Sequence, residues 1–163
     1  MSSLIYLMPV LPLCWLFRRL ISNRHLYFFF VLGATATHEL SHFIVGLLLN
    51  AKPIGFSLIP RRTSETEWTL GSVNFQNIRW FNGLPIGMAP LLLLVPFYVR
   101  LPKDFTLSDF RYTTGADLFF WLVLAYILPA AIPSKTDLKV GFGSAAPALI
   151  LAAIAGAAYL YSR

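Results

Sequence analysis

Two histidines and a glutamate stand inside a long apolar run, in the stretch GATATHELSHFIVGLLLN at residues 33–50. His38 and His42 are four residues apart, so on a helix they lie one turn apart on the same face and can bind one metal ion. Glu39 is turned by about 100° from His38, beside such a metal, where its carboxylate can take a proton from a water molecule. This HExxH pattern predicts a Zn²⁺ site with Glu39 as the general base.

The HExxH pattern is rare for a chain of this composition. With three His and three Glu in 163 residues, shuffling would produce it on the order of once in a thousand sequences. Ionisable residues inside a membrane segment are costly and usually serve function. A metal site is therefore favoured over two alternatives: polar residues that only bond neighbouring helices, and a haem or ion site that uses the two histidines alone.

A catalytic zinc needs a third protein ligand. The candidates outside the motif are His25, Glu65, Glu67, Asp104, Asp109, Asp117 and Asp137. His25 lies too far along the same helix to share the metal, and the two glutamates lie in the charged turn RRTSETE, which favours a solvated surface. Asp104 and Asp109 lie in a short polar link, and Asp117 lies at the predicted start of a helix.

Asp137 differs from these candidates because it closes the stretch PAAIPSKTD. Pro129 and Pro133 break the end of an apolar helix there and could turn a carboxylate back towards the other helices. The alternative is an interfacial aspartate paired with Lys135 or Lys139, a bond that contributes little to stability when exposed. Both interpretations stay open on these residues alone.

The composition indicates that these residues belong to an integral membrane protein. The chain is 57% hydrophobic and only 12% charged, with a mean hydropathy of +0.67, far from the balance of soluble domains. The net charge of +6 comes from Lys and Arg near the ends of apolar runs, which favours contact with lipid headgroups and no nucleic-acid partner. A lone Cys14 excludes an internal disulfide. We predict one integral-membrane domain over residues 1–163, in the cell membrane.

The apolar runs predict an all-α bundle of about five transmembrane helices. They cover residues 4–17, 25–49, 84–99, 117–132 and 143–161. The first run is short for a bilayer core of about 30 Å and contains two prolines, Pro9 and Pro12, that would kink it. The second is long enough to cross with a tilt. The third is opened by Pro85 and interrupted by Pro90.

The only long polar stretch, residues 51–82, lies between the second and third predicted helices. IGFSLIP and LGSVNFQNIRW alternate apolar and polar residues around the turn-like RRTSETE, a pattern that predicts a small β-hairpin at the membrane surface. Its edge, at residues 54–59 or 70–75, could accept an extended substrate as an added strand. The alternative is a connecting loop without a catalytic part.

Taken together, HELSH in a membrane helix, a following β-rich segment and an Asp after a proline-broken later helix resemble the site-2 protease family of intramembrane zinc metalloproteases. The resemblance covers a catalytic core at residues 25–139. It implies that His38, His42 and Asp137 bind zinc and that Glu39 is the general base. It also implies hydrolysis of peptide bonds within or near the transmembrane segments of substrate proteins, at the cytoplasmic face.

Two asparagines flank the start of the third predicted helix. Asn77 or Asn82 could bind substrate by donating a hydrogen bond to the developing oxyanion. An Asn at such a place more often caps a helix or a turn. We therefore carry both residues as substrate-binding candidates beside that structural interpretation.

Two other classes of function remain as alternatives. One is a catalytically inactive relative that binds membrane segments, although an intact Glu39 argues against it. The other is a metal or proton transporter that uses the four ionisable residues as a relay. No inverted repeat with matched broken helices supports transport.

Overall fold

The computed structural model describes residues 2–20, 24–59, 61–62, 68–69 and 71–161, and these residues are mostly helical. The α-helices are α1 (Ser2–Tyr6), α2 (Val10–Leu20), α3 (Arg24–Leu48), α4 (Gly83–Gly87), α5 (Val95–Arg100), α6 (Gly115–Ala130) and α7 (Lys135–Tyr161). Short 3-10 helices cover Ala89–Leu94 and Leu107–Tyr112, and the strands are β1 (Pro53–Ser57), β2 (Arg61–Arg62), β3 (Trp68–Thr69) and β4 (Ser72–Phe75). The coarse fold prediction, a helical chain with a small antiparallel β-structure between the second and third predicted helices, is confirmed.

The chain divides into two compact units. The first contains Met1–His38 and Leu91–Ile132, and the second contains Glu39–Pro90 and Pro133–Arg163. One boundary falls inside α3, which is continuous across it. The single-domain interpretation of residues 1–163 stays a prediction.

The core of the first unit forms where α2 packs along α6. Its buried residues are Tyr6, Val10, Phe120, Trp121, Leu124 and Ala125. The Tyr6 ring packs against two of them, with its centroid 5.4 Å from that of Phe120 and 5.3 Å from that of Trp121. Aromatic pairs of this kind contribute beyond their buried area. This core ties the start of the chain to the first half of α6.

Proline shapes the first predicted span. The helix breaks at residues 7–9, so that α1 ends before Pro9 and α2 begins after it. Pro12 lies in the first turn of α2, where backbone N–H groups have no partner within the helix and a missing one costs nothing. The run at residues 4–17 is therefore two short helices.

In the second unit, α3 ends in a Schellman motif. Ala51 N–H donates to Gly46 O at 2.8 Å, and Asn50 N–H donates to Leu47 O at 3.2 Å. Asn50 has a φ of 53°, the left-handed conformation that Asn tolerates better than most residues. The motif stops the helix and turns the chain directly into β1.

The β-structure packs back on the last turns of α3. β1 and β4 are antiparallel, with Phe56 opposite Val73, and the Phe56 ring lies 5.9 Å from the Phe43 ring of α3. The Phe75 ring occupies the place of a Cβ at Gly46. β2 and β3 form a second antiparallel pair further along the hairpin. Phe56 of β1 and Phe75 of β4 therefore anchor the hairpin to the helix that carries HELSH.

Close backbone packing joins α4 to α7. A Cβ at Gly83 would overlap the Ser144 hydroxyl, and a Cβ at Gly87 would overlap the carbonyl oxygen of Asp137. The same Gly87 position lies 3.1 Å from the Cα of Gly141. Glycines at such crossings let two helix backbones approach closely. The start of α7 is thereby held against α4.

Three of the predicted helix boundaries need correction. Residues 84–99 do not form one helix but α4, a 3-10 helix and α5, because prolines remove backbone donors along the run. The last helix begins at Lys135, well before predicted residue 143. A serine and an aspartate cap its first turn, which is polar and lies outside the apolar run that predicted the helix. The fourth helix ends at Ala130, and Asp137 therefore belongs to the start of α7.

Among the described residues, one helix is long and apolar enough to cross a membrane, at Phe30–Leu48 within α3. A second crossing results only if the bent pair Gly115–Ala130 and Lys135–Pro147 counts as one span. The arrangement of five spans stays a prediction.

Candidate metal centre

The histidines of HELSH lie on α3, as their spacing predicted. His42 is buried, with 4% of its surface exposed, and His38 is half-buried. The division between the two units falls between His38 and Glu39. The two imidazoles lie one turn apart on this continuous helix.

A backbone carbonyl orients each imidazole. His38 Nδ1 lies 2.7 Å from Ala130 O, and His42 Nδ1 lies 2.8 Å from Ile86 O. Because a carbonyl oxygen only accepts, each Nδ1 must carry the proton and donate. In the neutral ring, Nε2 then keeps its lone pair, which is the tautomer in which metal-binding histidines are usually held.

A capping box at the start of α7 holds Asp137. Ser134 N–H donates to Asp137 Oδ2 at 2.6 Å, and Asp137 N–H donates to the Ser134 hydroxyl oxygen at 3.2 Å. These bonds use one carboxylate oxygen, and the other, Oδ1, lies 3.2 Å from His42 Nε2. The carboxylate thus faces the imidazole from within the second unit.

His42 Nε2 and Asp137 Oδ1 are close enough to share a proton or to bind one metal cation. The lone pairs of Nε2 and of a carboxylate oxygen repel at 3.2 Å unless a proton or a metal cation lies between them. Tetrahedral zinc with bonds of about 2.0 to 2.2 Å places neighbouring ligand atoms roughly 3.3 to 3.6 Å apart, close to the separation found here. The contact therefore suits a shared proton or a bound cation.

One ligand atom from each of His38, His42 and Asp137 lies within 4.8 Å of the others. Two imidazoles and one carboxylate form a donor set that suits Zn²⁺ and leaves a fourth position for water. The structure therefore brings together the three residues predicted as ligands, and their chemistry fits the metal.

Glu39 follows His38 on α3 and is buried, with 9% of its surface exposed. Its carboxylate is not among the three converging ligand atoms in the described part of the chain. Its role as general base stays a prediction.

The other candidates for the third ligand have different surroundings. Asp117 accepts from the Tyr6 hydroxyl at 2.7 Å, and Asp109 accepts from the Thr106 hydroxyl at 2.7 Å. Asp104 is exposed. Glu65 and Glu67 lie outside the described residues, as does the His25 side chain. Of the described carboxylates, Asp137 is the one that reaches the histidines.

The two predicted substrate-binding asparagines are engaged with the backbone. The Asn82 side chain is fully buried, its oxygen accepts from Arg79 N–H at 2.7 Å, and its amide donates to Leu49 O and Asn77 O. Asn77 donates to Asn50 O at 2.8 Å. Because both Asn82 hydrogens are used, the turn-capping interpretation is the better supported one for that residue. Oxyanion binding by either side chain stays a prediction.

Three parts of the site were not predicted from the sequence. The carbonyls of Ile86 and Ala130 orient the histidines, but every residue has a carbonyl, so no residue type points to them. Ser134 was detectable, because Ser-x-x-Asp before a helix is a capping signal. The connection of Ser134 to the site was not detectable, because it depends on where α7 packs.

No protein-family model, no curated protein and no solved structure matches this chain.

Proposed function

We propose that this protein is an intramembrane zinc metalloprotease that hydrolyses peptide bonds within or near transmembrane segments of substrate proteins. The observation that carries the proposal is the convergence of His38, His42 and Asp137 beside a buried Glu39. Each histidine presents Nε2 because a carbonyl holds Nδ1. The resemblance to the site-2 protease family points to the same residues.

The residues divide the chemistry between them. Zn²⁺ bound here would supply Lewis acidity towards water and towards a peptide carbonyl. Two neutral imidazoles and one carboxylate leave a net positive charge of about one on such a centre, which preserves that acidity. The Glu39 carboxylate accepts a proton from the attacking water and returns it to the leaving amine. Its burial strengthens these interactions by excluding bulk water.

A membrane location and five spans belong to the same proposal. Large apolar side chains at helix surfaces are widely exposed, among them Leu48 at 77%, Val99 at 76% and Phe119 at 69%. Soluble monomers rarely expose many such side chains together. Lipid chains would cover these surfaces in the cell membrane, and the resemblance suggests that the metal centre faces the cytoplasm.

The β-structure supports a way to hold the substrate. A transmembrane helix hides its carbonyls in its own hydrogen bonds, so a segment must unwind before hydrolysis. β1 is paired with β4 among the described residues, and its apolar side chains Ile54 and Phe56 are 67% and 45% exposed. An unwound apolar segment could add to this edge and recover the backbone bonds it lost.

The proposal is tested by a cleavage assay on a membrane substrate whose helix is weakened by glycine, with the purified protein in detergent. We expect cleavage that a zinc chelator abolishes and added zinc restores. Glu39→Gln should keep about one zinc per chain and lose cleavage, because an amide fills the space but cannot take the proton. Replacing both His38 and His42 by Ala should remove the zinc.

Other outcomes would separate the alternatives. Wild-type turnover in Glu39→Gln would remove Glu39 from the mechanism. Haem iron in the purified protein would reject the zinc site. Zinc binding without cleavage of any substrate by the wild type would favour an inactive relative, and zinc-dependent ion flux into vesicles would favour a transporter.

A further inference from the structure

The carbonyl that orients His42 lies four residues before a proline. His42 Nδ1 donates to Ile86 O at 2.8 Å, and the residue four positions after Ile86 is Pro90. In an α-helix a carbonyl accepts from the N–H four residues later, but proline has no N–H. We propose that Pro90 is a positioning residue for the metal centre, which keeps the Ile86 carbonyl available to His42 by removing a competing backbone donor. This inference rests on the zinc site of the proposed function.

The backbone between Ile86 and Pro90 keeps a right-handed helical course. α4 leads through Met88, which has a φ of -93° and a ψ of 0°, directly into the following 3-10 helix. In such a course the N–H groups three and four residues along the chain point back at each carbonyl. Met88 itself shows this, since its N–H donates to Leu84 O at 3.0 Å. An N–H at position 90 would therefore point towards Ile86 O.

The Ile86 oxygen has no lone pair left for a further donor. A carbonyl oxygen accepts two hydrogen bonds through its two lone pairs. Met88 N–H is shared between Leu84 O and Ile86 O, and His42 Nδ1–H is the other donor to Ile86 O. Because Pro90 is fully buried, an N–H at its position would have no bulk water to bond and would compete for the carbonyl. The imidazole can rotate away and the backbone cannot, so the histidine would be displaced.

A second proline in the chain shows the same exchange of donors. Pro129 lies inside α6, and the carbonyl four residues earlier, Ala125 O, accepts from the Cys14 thiol at 3.4 Å. Because α6 is continuous there, the missing N–H of Pro129 is the one that Ala125 O would otherwise meet. A side chain from another helix takes its place. His42 stands in the same relation to Pro90, with an imidazole in place of a thiol.

The bond to Ile86 decides which nitrogen His42 presents to the site. With Nδ1–H donated to the carbonyl, Nε2 faces Asp137 Oδ1 at 3.2 Å. If a backbone N–H displaced the imidazole, the ring could rotate about its Cβ–Cγ bond, and Nε2 would no longer be held towards the metal. Pro90 thus acts on the metal through a donor that it lacks, without touching the metal itself.

The test measures zinc affinity of the full chain in detergent, by competition with a chelator of known affinity. Pro90→Ala adds the N–H. Lactic acid at the same position, introduced by nonsense suppression, has the alanine side chain but an ester oxygen in place of that N–H. We expect Pro90→Ala to weaken zinc binding about tenfold, in the range found when an outer partner of a metal ligand is lost. The ester analogue should bind zinc within about threefold of the wild type, because the competing donor is absent again.

A spectroscopic signature separates this role from a loss of packing. In zinc-loaded protein with isotope-labelled histidine, the NMR shift and water exchange of each Nδ1–H proton report its bond to a carbonyl. Pro90→Ala should move the His42 signal upfield and speed its exchange, and the ester analogue should return both to the wild-type values. The His38 signal should stay in place, since Ala130 O orients that ring. Equal movement of the two signals would indicate a general loosening and overturn the positioning role.

Pro147→Ala is the control for the added donor, because it places the same N–H inside α7, opposite Gly143. It should bind zinc like the wild type. Pro90→Val adds the N–H and fills more of the space of the proline ring, so it should weaken zinc binding as Pro90→Ala does.

Three outcomes would overturn the inference. Wild-type affinity in both Pro90→Ala and Pro90→Val would overturn the positioning role and leave the zinc site standing. Equal losses in Pro90→Ala and its ester analogue would show that the lost ring, not the added N–H, weakens the site. Absence of zinc binding in the wild type would overturn the proposed metal site and this inference together.

Discussion

Two helix starts in this protein carry the same local motif with different partners. At the start of α6, Thr114 and Asp117 form a capping box, and the free oxygen of Asp117 accepts from the buried Tyr6 hydroxyl. At the start of α7, Ser134 and Asp137 form a similar box, and the second carboxylate oxygen of Asp137 faces His42. In each box one carboxylate oxygen accepts from the capping residue, and the second oxygen contacts a side chain from another part of the fold.

The two boxes differ in the group that the second carboxylate oxygen meets. A hydroxyl donor beside Asp117 makes a hydrogen bond to the carboxylate and stabilises the fold. An imidazole nitrogen beside Asp137 has a lone pair of its own, so the pair has room only for a proton or a cation. The chemistry is decided by the partner, not by the aspartate.

Replacing Asp137 and replacing Asp117 should have the most different effects on zinc affinity. We expect Asp137→Ala to lower zinc affinity by more than about 100-fold and to abolish cleavage, because the site loses its only anionic ligand. Asp137→Asn should be nearly as damaging, since a neutral amide is a poor zinc ligand. Asp117→Ala should keep its zinc. Metal analysis of the desalted proteins measures the difference.

Two further variants serve as controls for that result. Glu65→Gln and Glu67→Gln should retain zinc and cleavage if these residues only solvate the turn. If either variant lost zinc while Asp137→Ala retained it, the third zinc ligand would not lie on α7.

Gly87→Ala should have the second largest effect on zinc affinity. Its Cβ would overlap the Asp137 carbonyl oxygen and approach the Cα of Gly141 at 3.1 Å, and backbone atoms cannot rotate away. α4 and α7 must then separate, which draws His42 from Asp137 and should lower zinc affinity about tenfold and stability by about 1 to 3 kcal/mol.

Gly143→Ala is the matched control for this change, because nothing lies within 4 Å of a Cβ at that position of α7. It should bind zinc normally and be slightly more stable, by up to about 1 kcal/mol. Chelator competition and thermal unfolding measure both quantities. Equal zinc affinity in the two alanine variants would show that the α4–α7 crossing does not position the site.

Tyr6→Phe should weaken the Thr114–Asp117 box and leave the Ser134–Asp137 box unchanged. It removes the hydroxyl that donates to Asp117 Oδ1 at 2.7 Å, and the buried ring stays in place. A hydrogen bond to a charged group in a partly exposed position contributes about 1 to 2 kcal/mol. We expect a lower unfolding temperature by circular dichroism and unchanged zinc affinity. A weakened zinc site would mean that the two boxes are coupled.

The smallest effect is expected at a third box, formed by Thr106 and Asp109. Hydrogen bonds from the Thr106 hydroxyl and backbone N–H hold the pKa of Asp109 below its ordinary value of 3.8. Because the folded pKa is depressed, the stability from this box is present above the ordinary pKa and is lost as the pH falls through the lower folded pKa.

Thr106→Val keeps the shape of the side chain and removes its hydroxyl. The pKa of Asp109 should rise towards 3.8 and part of the acid sensitivity should disappear, because one of two bonds to the carboxylate is gone. Carboxyl-carbon NMR titration in micelles measures the pKa. An unchanged pKa would contradict the role of the hydroxyl.

Much of the fold was predictable because its causes are local. The spacing of His38 and His42 on a helix follows from 3.6 residues per turn, and α3 covers Arg24–Leu48 where the sequence predicted residues 25–49. The alternation around residues 51–82 predicted the antiparallel β-structure. The start of α7 was missed because its first turn is polar, and residues 84–99 were predicted as one helix although prolines divide them.

The sequence by itself determined the donor types, the one-turn spacing of the imidazoles and the boxes that cap three helix starts, since each depends on residues within four positions of one another. Only the tertiary structure decided which capped aspartate meets a histidine. Asp117 and Asp137 each accept at Oδ2 from the backbone N–H of the capping residue. The packing of α7 on α4 through Gly87 gives Asp137 its partner. Such a contact joins residues 95 positions apart in the chain. It depends on the summed packing of whole helices, which no local pattern encodes.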